Sequence, residues 1–228
     1  MNGQDFAIQV GSLWKIYKTG SEEVPALRGL SFQIEPGSYV ALKGRSGSGK
    51  TTLLNCLSGL DEPTSGSISV LGRDVVKMAE AERTYWRSQE MGLVFQSFGL
   101  IPTLSAYENI DLMLRLAGIR TRERHKRVLE MLQMVGLQKW ADHRPYEMSG
   151  GQQQRVAVAR ALANHPKLIL ADEPTGELDT TTARDIMGLF RKIVEETKVT
   201  FLVTSHDPVV DVYVDRILQL KDGMLVES

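Results

Sequence analysis

Three short apolar runs constrain this chain more than any other feature, because each stops abruptly at polar, chemically capable residues. "SYVAL" leads into "KGRSGSGK", "KLILA" into "DEPTGELD", and "VTFLV" into "TSHD". Short apolar runs bounded by turn residues read as strands buried on both faces. In open parallel α/β sheets, ligands bind at the carboxyl ends of the strands. The three polar segments are therefore expected to meet at one edge of one sheet.

The rest of the pattern supplies what such a sheet needs. The opening third alternates apolar and polar residues in "FAIQVGSLWKIYK", "GLSFQIEPGSYVALKG" and "GSISVLG", which predicts antiparallel strands and hairpins. Helical spacing begins after Gly49 with "KTTLLNCLSGL" and dominates from about Ser97 to Arg160, where "SAYENIDLMLRLAG" and "RERHKRVLEMLQMVG" each run toward a glycine. The last third alternates strand, helix, strand and a short helix, then closes on a hairpin, "RILQLKDGMLVES". Strands alternating with helices imply right-handed crossovers and a parallel sheet.

Composition removes several function classes. With 27 basic and 28 acidic residues the net charge is -1, so no overall field draws the chain to nucleic acid or an anionic membrane. Cys56 is the sole cysteine, which rules out an internal disulfide, and it reads as a core residue. The N-terminal stretch has no basic start followed by an apolar segment, and no run approaches the ~18 apolar residues of a membrane span. A cytoplasmic protein without direct membrane insertion is expected, and any membrane connection runs through a partner.

Residues 44–51, "GRSGSGKT", fit G-x-x-x-x-G-K-[S/T], a phosphate-binding loop, and stand between a predicted strand and a predicted helix as that loop requires. Its glycines let backbone N–H groups and the helix N-terminus face phosphate oxygens. Lys50 is expected at the β- and γ-phosphates and the Thr51 hydroxyl on Mg²⁺. Asp172, at the end of "LILA", is placed to hold Mg²⁺, and Glu173 to polarise an attacking water. Without the phosphate loop, an acidic turn cap would explain both. Residues 146–162, "YEMSGGQQQRVAVARAL", put Ser149 and two glycines at a helix start, a second anion-seeking N-terminus. One lysine-bearing loop and two such helix ends suggest that the second end completes the site of another copy of the chain.

With these motifs in this order, the chain resembles the nucleotide-binding ATPase subunit of ATP-binding-cassette (ABC) transporters over nearly its whole length. The resemblance implies an α/β P-loop NTPase fold with a RecA-like parallel sheet, an N-terminal antiparallel β subdomain and an inserted helical subdomain. As one ABC domain over 1–228, the core would take about 1–95 and 161–228, and the helical part about 96–160. Tyr17 would stack on adenine. Gly44, Arg45, Ser46, Gly47, Ser48, Gly49, Lys50, Thr51 and Thr52 would form the Walker A loop. Gln96 would sense metal and γ-phosphate, and Ser149, Gly150, Gly151, Gln152 and Gln153 would be the signature acting in trans. Asp172 would be the metal-associated acid, Glu173 the catalytic base, Asp179 a dimer-contact residue and His206 the switch histidine, with ATP and Mg²⁺ as cofactors. Arg45, Met148 and Glu177 depart from the family's usual residues; Met keeps the volume of leucine, whereas no motif accounts for Glu177.

The same resemblance implies an ATP-dependent head-to-tail dimer with a second copy, driving a transmembrane permease from the inner face of the cell membrane. It is nearest to the lipoprotein-releasing, macrolide-exporting and antimicrobial-peptide-resistance ATPases, implying export or extraction of a lipophilic or peptide substrate. Phe98, Leu100, Ile101 and Leu104 would form a groove for a partner helix. Alternatives are a regulatory ABC ATPase of the cell-division type and a soluble non-transport ABC ATPase; the latter usually has two cassettes or a long coiled-coil insertion, and neither occurs in these residues. A GTP-binding switch lacks support because no N-K-x-D motif is present.

Overall fold

The computed structural model describes residues 6–20 and 22–226. The first five residues of the opening stretch and the last two of the closing hairpin lie outside the described residues. Two sheets organise the fold. In the antiparallel sheet the order is β2 (Glu22–Ile34), β1 (Ile8–Thr19), β4 (Ser65–Val70) and β5 (Arg73–Asp74). The larger sheet runs β10 (Met224–Val226), β9 (Arg216–Lys221), β3 (Tyr39–Lys43), β8 (Thr200–Ser205), β7 (Leu168–Ala171) and β6 (Met91–Val94). Its neighbours pair parallel from β9 to β6, and β10 returns antiparallel as a hairpin on β9.

The segment "GLSFQIEPGSYVALKG" does not close a hairpin as expected. Pro36 and Gly37 instead carry the chain from β2 in one sheet to β3 in the other. Gly37 makes that corner at φ 73, and its N–H donates to Thr200 Oγ1 at 3.0 Å. The β propensity of "SYVAL" was legible, but alternation alone does not say which sheet a strand joins.

The continuous apolar runs follow from burial on both faces. Along β3, Tyr39 and Ala41 face one core while Val40 and Leu42 face the other; Ile169 and Ala171 against Leu168 and Leu170 on β7 repeat the division, as do Phe201 and Val203 against Leu202 on β8. The first core is closed by α5 (Gly150–Leu162) and α6 (Thr180–Thr197), the second by α1 (Lys50–Ser58) and the antiparallel sheet. Tyr39, Phe201 and Phe190 pack in series, the first pair edge to face, with centroids 5.1 and 4.6 Å apart, so truncating either phenylalanine to Ala would cost about 3–5 kcal/mol. Cys56 is wholly buried in the second core, and burial pushes its thiol up to about 12, which makes it an inert packing residue.

Helices α3 (Ala106–Leu116), α4 (Thr121–Met134) and α5 pack on one another between β6 and β7 in the chain. A capping box starts α3: Ser105 Oγ accepts from Glu108 N at 3.2 Å, and Glu108 Oε2 accepts from Ser105 N at 2.8 Å. Among the elements not foreseen are α2 (Glu80–Glu90) and the adjoining β6. Charge-rich α2 buries Trp86 alone, and the four residues of β6 follow it without a turn.

Candidate functional site

The ends of β3, β7 and β8 lie side by side, and the three polar segments meet beyond them. A cleft of about 720 Å³ is lined by Ala26, Arg45, Ser46, Gly47, Gly49, Lys50, Thr51, Thr52, Gln96, Glu173 and His206. The loop after β3 owes its path to its glycines. A Cβ on Gly49 would lie 2.6 Å from the Ala26 carbonyl oxygen, and φ is 105 there. A Cβ on Gly44 would collide with Ser48 Oγ and the Leu220 carbonyl. Gly49 caps α1 without a side-chain hydrogen bond, and the first turn carries no acid. The N–H groups of Lys50, Thr51 and Thr52, which no intrahelical carbonyl can reach, are thus left for an anion.

Lys50 is only 5 % exposed, and its Nζ donates to the Gly44 carbonyl at 2.8 Å and the Arg45 carbonyl at 3.1 Å. It also pairs with Glu173 Oε1 at 3.0 Å, while Glu173 Oε2 lies 3.0 Å from His206 Nδ1. Thr51 Oγ1 donates to Asp172 Oδ2 at 2.8 Å. Glu173 itself sits at φ 41, a left-handed conformation that costs a residue with a Cβ about 1–2 kcal/mol. Gln96 follows β6 by two residues, and its Nε2 lies 3.2 Å from where a Cβ on Gly176 would be. The loop carrying Glu173 and Gly176 therefore lies against Gln96.

One positioning residue escaped the sequence reading. Thr204, fully buried on β8, donates from Oγ1 to Asp172 Oδ1 at 2.7 Å, and the same oxygen accepts from the Glu173 N–H at 2.8 Å. The visible signal was a hydroxyl next to Ser205 and His206, but threonine in an apolar strand is indistinguishable from an ordinary β-former.

Other expected residues do not line the cleft. Tyr17 is absent from its lining. The ring is 38 % exposed, its hydroxyl donates to Asp61 Oδ2 at 2.7 Å, and Lys15 Nζ lies 4.7 Å from the ring centroid. Burial and the Asp61 hydrogen bond push the Tyr17 pKa up. Ser149, Gly150, Gly151 and Gln152 also lie outside the cleft, where they form a closed capping box. Ser149 Oγ accepts from Gln152 N at 3.3 Å, and Gln152 Oε1 accepts from Ser149 N at 2.9 Å. Gln153 Nε2 donates to the Met148 carbonyl at 3.1 Å. Asp179 caps α6, accepting from the Thr181 and Thr182 N–H groups at 3.0 Å and from Thr182 Oγ1 at 2.6 Å. The Thr182 hydroxyl hydrogen bond leads in holding its carboxyl below the usual range. Glu177 is exposed and makes no hydrogen bond or ion pair among the described residues.

The expected partner groove is lined differently from the sequence reading. Of Phe98, Leu100, Ile101 and Leu104, Ile101 alone is exposed, and Leu100 packs on the core. A groove of about 340 Å³ lies beside them instead, its apolar wall formed by Met91, Leu93, Phe95, Met113 and Ala161. Those residues come from β6 and the residue after it, α3 and α5, which sequence distance kept apart.

A loop after a parallel strand that opens into a helix, with an acid at the tip of a nearby strand, defines a P-loop NTPase. The sequence profile of the ABC transporter family matches residues 27–176, and the chain belongs to that family as an ATP-binding, ATP-hydrolysing cassette of transporters. An uncharacterized ABC transporter ATP-binding protein of Thermotoga maritima is 46% identical over 218 residues, covering 96% of this chain and 93% of that protein. The macrolide export ATP-binding/permease protein MacB of Rhodopirellula baltica is 46% identical over 223 residues, 97% of this chain but 33% of that longer protein. Among solved structures, the dimeric post-hydrolysis state of the cassette MJ0796 of Methanocaldococcus jannaschii, bound to ADP and Pi, superposes with a TM-score of 0.89 at 42% identity, covering 96% of this chain and 97% of that one.

Proposed function

We propose that this cassette hydrolyses ATP as a head-to-tail dimer and drives a membrane permease. The observation that carries the reading is a division within one chain. Lys50, Thr51, Gln96, Glu173 and His206 share a cleft, whereas the Ser149 helix end stands outside it. In the dimer, the Ser149 end of one copy covers nucleotide held by residues 44–52 of its partner. The dimeric state of the MJ0796 cassette, bound to ADP and Pi, supports a dimer.

In that site the N–H groups at the start of α1 cradle the phosphates, and Lys50 gives up Glu173 for the β- and γ-oxygens. Glu173, released, takes the proton of the attacking water, and His206 holds its second oxygen. Thr204 fixes Asp172 and the Glu173 backbone from below. Thr51 Oγ1 meets the Asp172 carboxylate, and the Gln96 amide oxygen, on a residue that shares the cleft lining with Thr51, adds a further hard donor. These oxygens suit Mg²⁺, an ion that takes one or two protein oxygens and completes its shell with water and phosphate. When bound, Mg²⁺ supplies charge neutralisation at the β- and γ-phosphates. Asp179 and Glu177 would lie toward the partner copy, and Tyr17 would present its ring to the base at the cleft's edge.

No helix among the described residues is long and apolar enough to cross a membrane. The groove beside Phe95 and Met113 offers an apolar seat for a permease helix, and the fused permease of MacB supports such a partner. Attachment there would place the cassette on the inner face of the membrane. The name of that relative also favours export of a lipophilic compound as the work done.

A mixing experiment tests the split site. Lys50→Ala and Ser149→Arg chains are each expected to be inactive, and their mixture to recover hydrolysis, because the heterodimer contains one intact pair of helix ends. No recovery from two folded variants that co-purify would overturn the reading. For the partner, capture from detergent-solubilised membranes should recover a multi-span protein; recovery of ribosomes or DNA would contradict transport.

A further inference from the structure

Beyond Gln96 the chain makes a turn that its own residues do not favour. Phe98 and Gly99 both adopt left-handed conformations, at φ 59 and 61. Glycine does so freely, but phenylalanine meets its own Cβ in that region and needs outside support. The support comes from α5, 61 residues further along. Arg160 donates from one guanidinium nitrogen to the Phe98 carbonyl at 3.1 Å and from another to the Gly99 carbonyl. A planar fork with several donors suits two neighbouring carbonyls at once, whereas a lysine would reach them one at a time.

The same turn touches the other end of α5. The Phe98 ring comes within 3.6 Å of where a Cβ on Gly150 would stand, and Leu178 comes within 3.3 Å of that point. Gly150 and Arg160 are ten residues apart, about 15 Å along a helix. Residues 98 and 99 are thus fastened by their carbonyls near one end of α5 and by a ring near the other. Arg160 and Gly99 also line the apolar groove with Phe95 and Met113. Arg160 is half-buried, and burial alone shifts its pKa, downward. Its recorded hydrogen bonds are those two carbonyls, so the turn accounts for the guanidinium being there.

We propose that Arg160 is a positioning residue: it latches the Phe98–Gly99 turn to α5, so that Gln96, the partner groove and the Ser149 helix end shift together. The proposal rests on the split-site reading above, since it joins the Gln96 segment of one ATP site to the helix end that completes the other. Occupation of the groove acts on both sites through this single side chain. Loosening the latch slows turnover without emptying the cleft, because no contact of Lys50 or of the α1 N-terminus involves Arg160.

The test is steady-state ATP hydrolysis by the full chain carrying Arg160→Met or Arg160→Lys, with ATP affinity and thermal midpoint measured alongside. Arg160→Met is expected to lower kcat about tenfold with KM within about twofold of wild type. Arg160→Lys is expected to fall between, at about threefold. Adding Phe98→Asn to Arg160→Met should recover part of the lost kcat, because asparagine tolerates the left-handed region; a purely structural arginine would gain no turnover from that change. If Arg160→Met does not fold, Arg160→Lys decides alone. Wild-type kcat in the folded variants overturns the latch, as does a loss of ATP affinity as large as the loss of kcat. Continued hydrolysis by Glu173→Gln would be a different failure, that of the site reading itself.

Discussion

The N-termini of α1 and α5 are built from the same two residue types, glycine and serine, and they end in opposite states. Gly49 starts α1 in a left-handed conformation with no side-chain cap, so the first turn faces the cleft unpartnered. Ser149 and Gln152 satisfy each other's backbone at the start of α5. A missing cap costs a helix about 1 kcal/mol. The start of α1 therefore gains from any anion that takes the place of a cap, whereas α5 is satisfied as it stands. What α5 still offers is the pair of N–H groups of Gly150 and Gly151, ahead of the capped Gln152. On the proposed reading, one end binds an anion in the isolated subunit, and the other does so only against something that already holds charge.

The strongest challenge to this contrast is to stop the reaction while both ends are engaged. Glu173→Gln should lower kcat by about a thousandfold or more, and ATP should then accumulate a dimer detectable by size-exclusion chromatography. A variant that stays monomeric at saturating ATP would mean the ends never face each other. Next in size, Lys50→Ala should weaken ATP binding by about a hundredfold through loss of a buried cation at the open end, measurable by calorimetry. Unchanged affinity would remove the α1 end from the site. Thr204→Val, which unties Asp172 and Glu173 together, should reduce kcat by about tenfold with smaller change in KM. Ser149→Ala sharpens the comparison most directly. Unfolding stability should fall by about 1 kcal/mol and ATP-driven dimerisation should weaken, while ATP affinity of the single subunit holds. Loss of that affinity would place both helix ends in one site. Glu177→Ala should be the smallest, within about 0.5 kcal/mol in stability and visible only in the salt dependence of dimerisation.

The contrast also marks where a sequence is legible. The spacing of "GRSGSGKT" between strand and helix located the cleft, and three apolar runs ending in polar residues gave the edge of the sheet, because both are local patterns with one geometric meaning. Ser149 was recognisable as a cap for the same reason. That Gln152 closes the box from the other side is also local, in the S-x-x-Q spacing, but competes with a reading of the whole segment as anion-seeking. Thr204 and Arg160 were not legible, since each acts across 31 residues or more, Arg160 on backbone carbonyls and Thr204 on a backbone N–H as well as the Asp172 carboxylate. The groove failed for a related reason: exposure of Phe98, Leu100 and Leu104 depends on how α3 and α5 pack, and an apolar stretch alone does not reveal its own cover. Helix α2 and β6 were hidden by charge and shortness.

The strand order of the larger sheet has one more consequence, for how the chain is made. Strand β3 has β8 and β9 as neighbours, with β7 one strand beyond β8; Thr51 meets Asp172 across 121 residues, and Tyr39 binds Asp215 across 176. A nascent chain that has emerged only as far as α5 has its phosphate loop but lacks the strands that flank β3. Such a fragment has the lysine without Glu173, Thr204 or His206. Nucleotide binding with hydrolytic chemistry thus arises only after β7, β8 and β9 have emerged and closed the sheet, and before that ATP meets an unfinished loop.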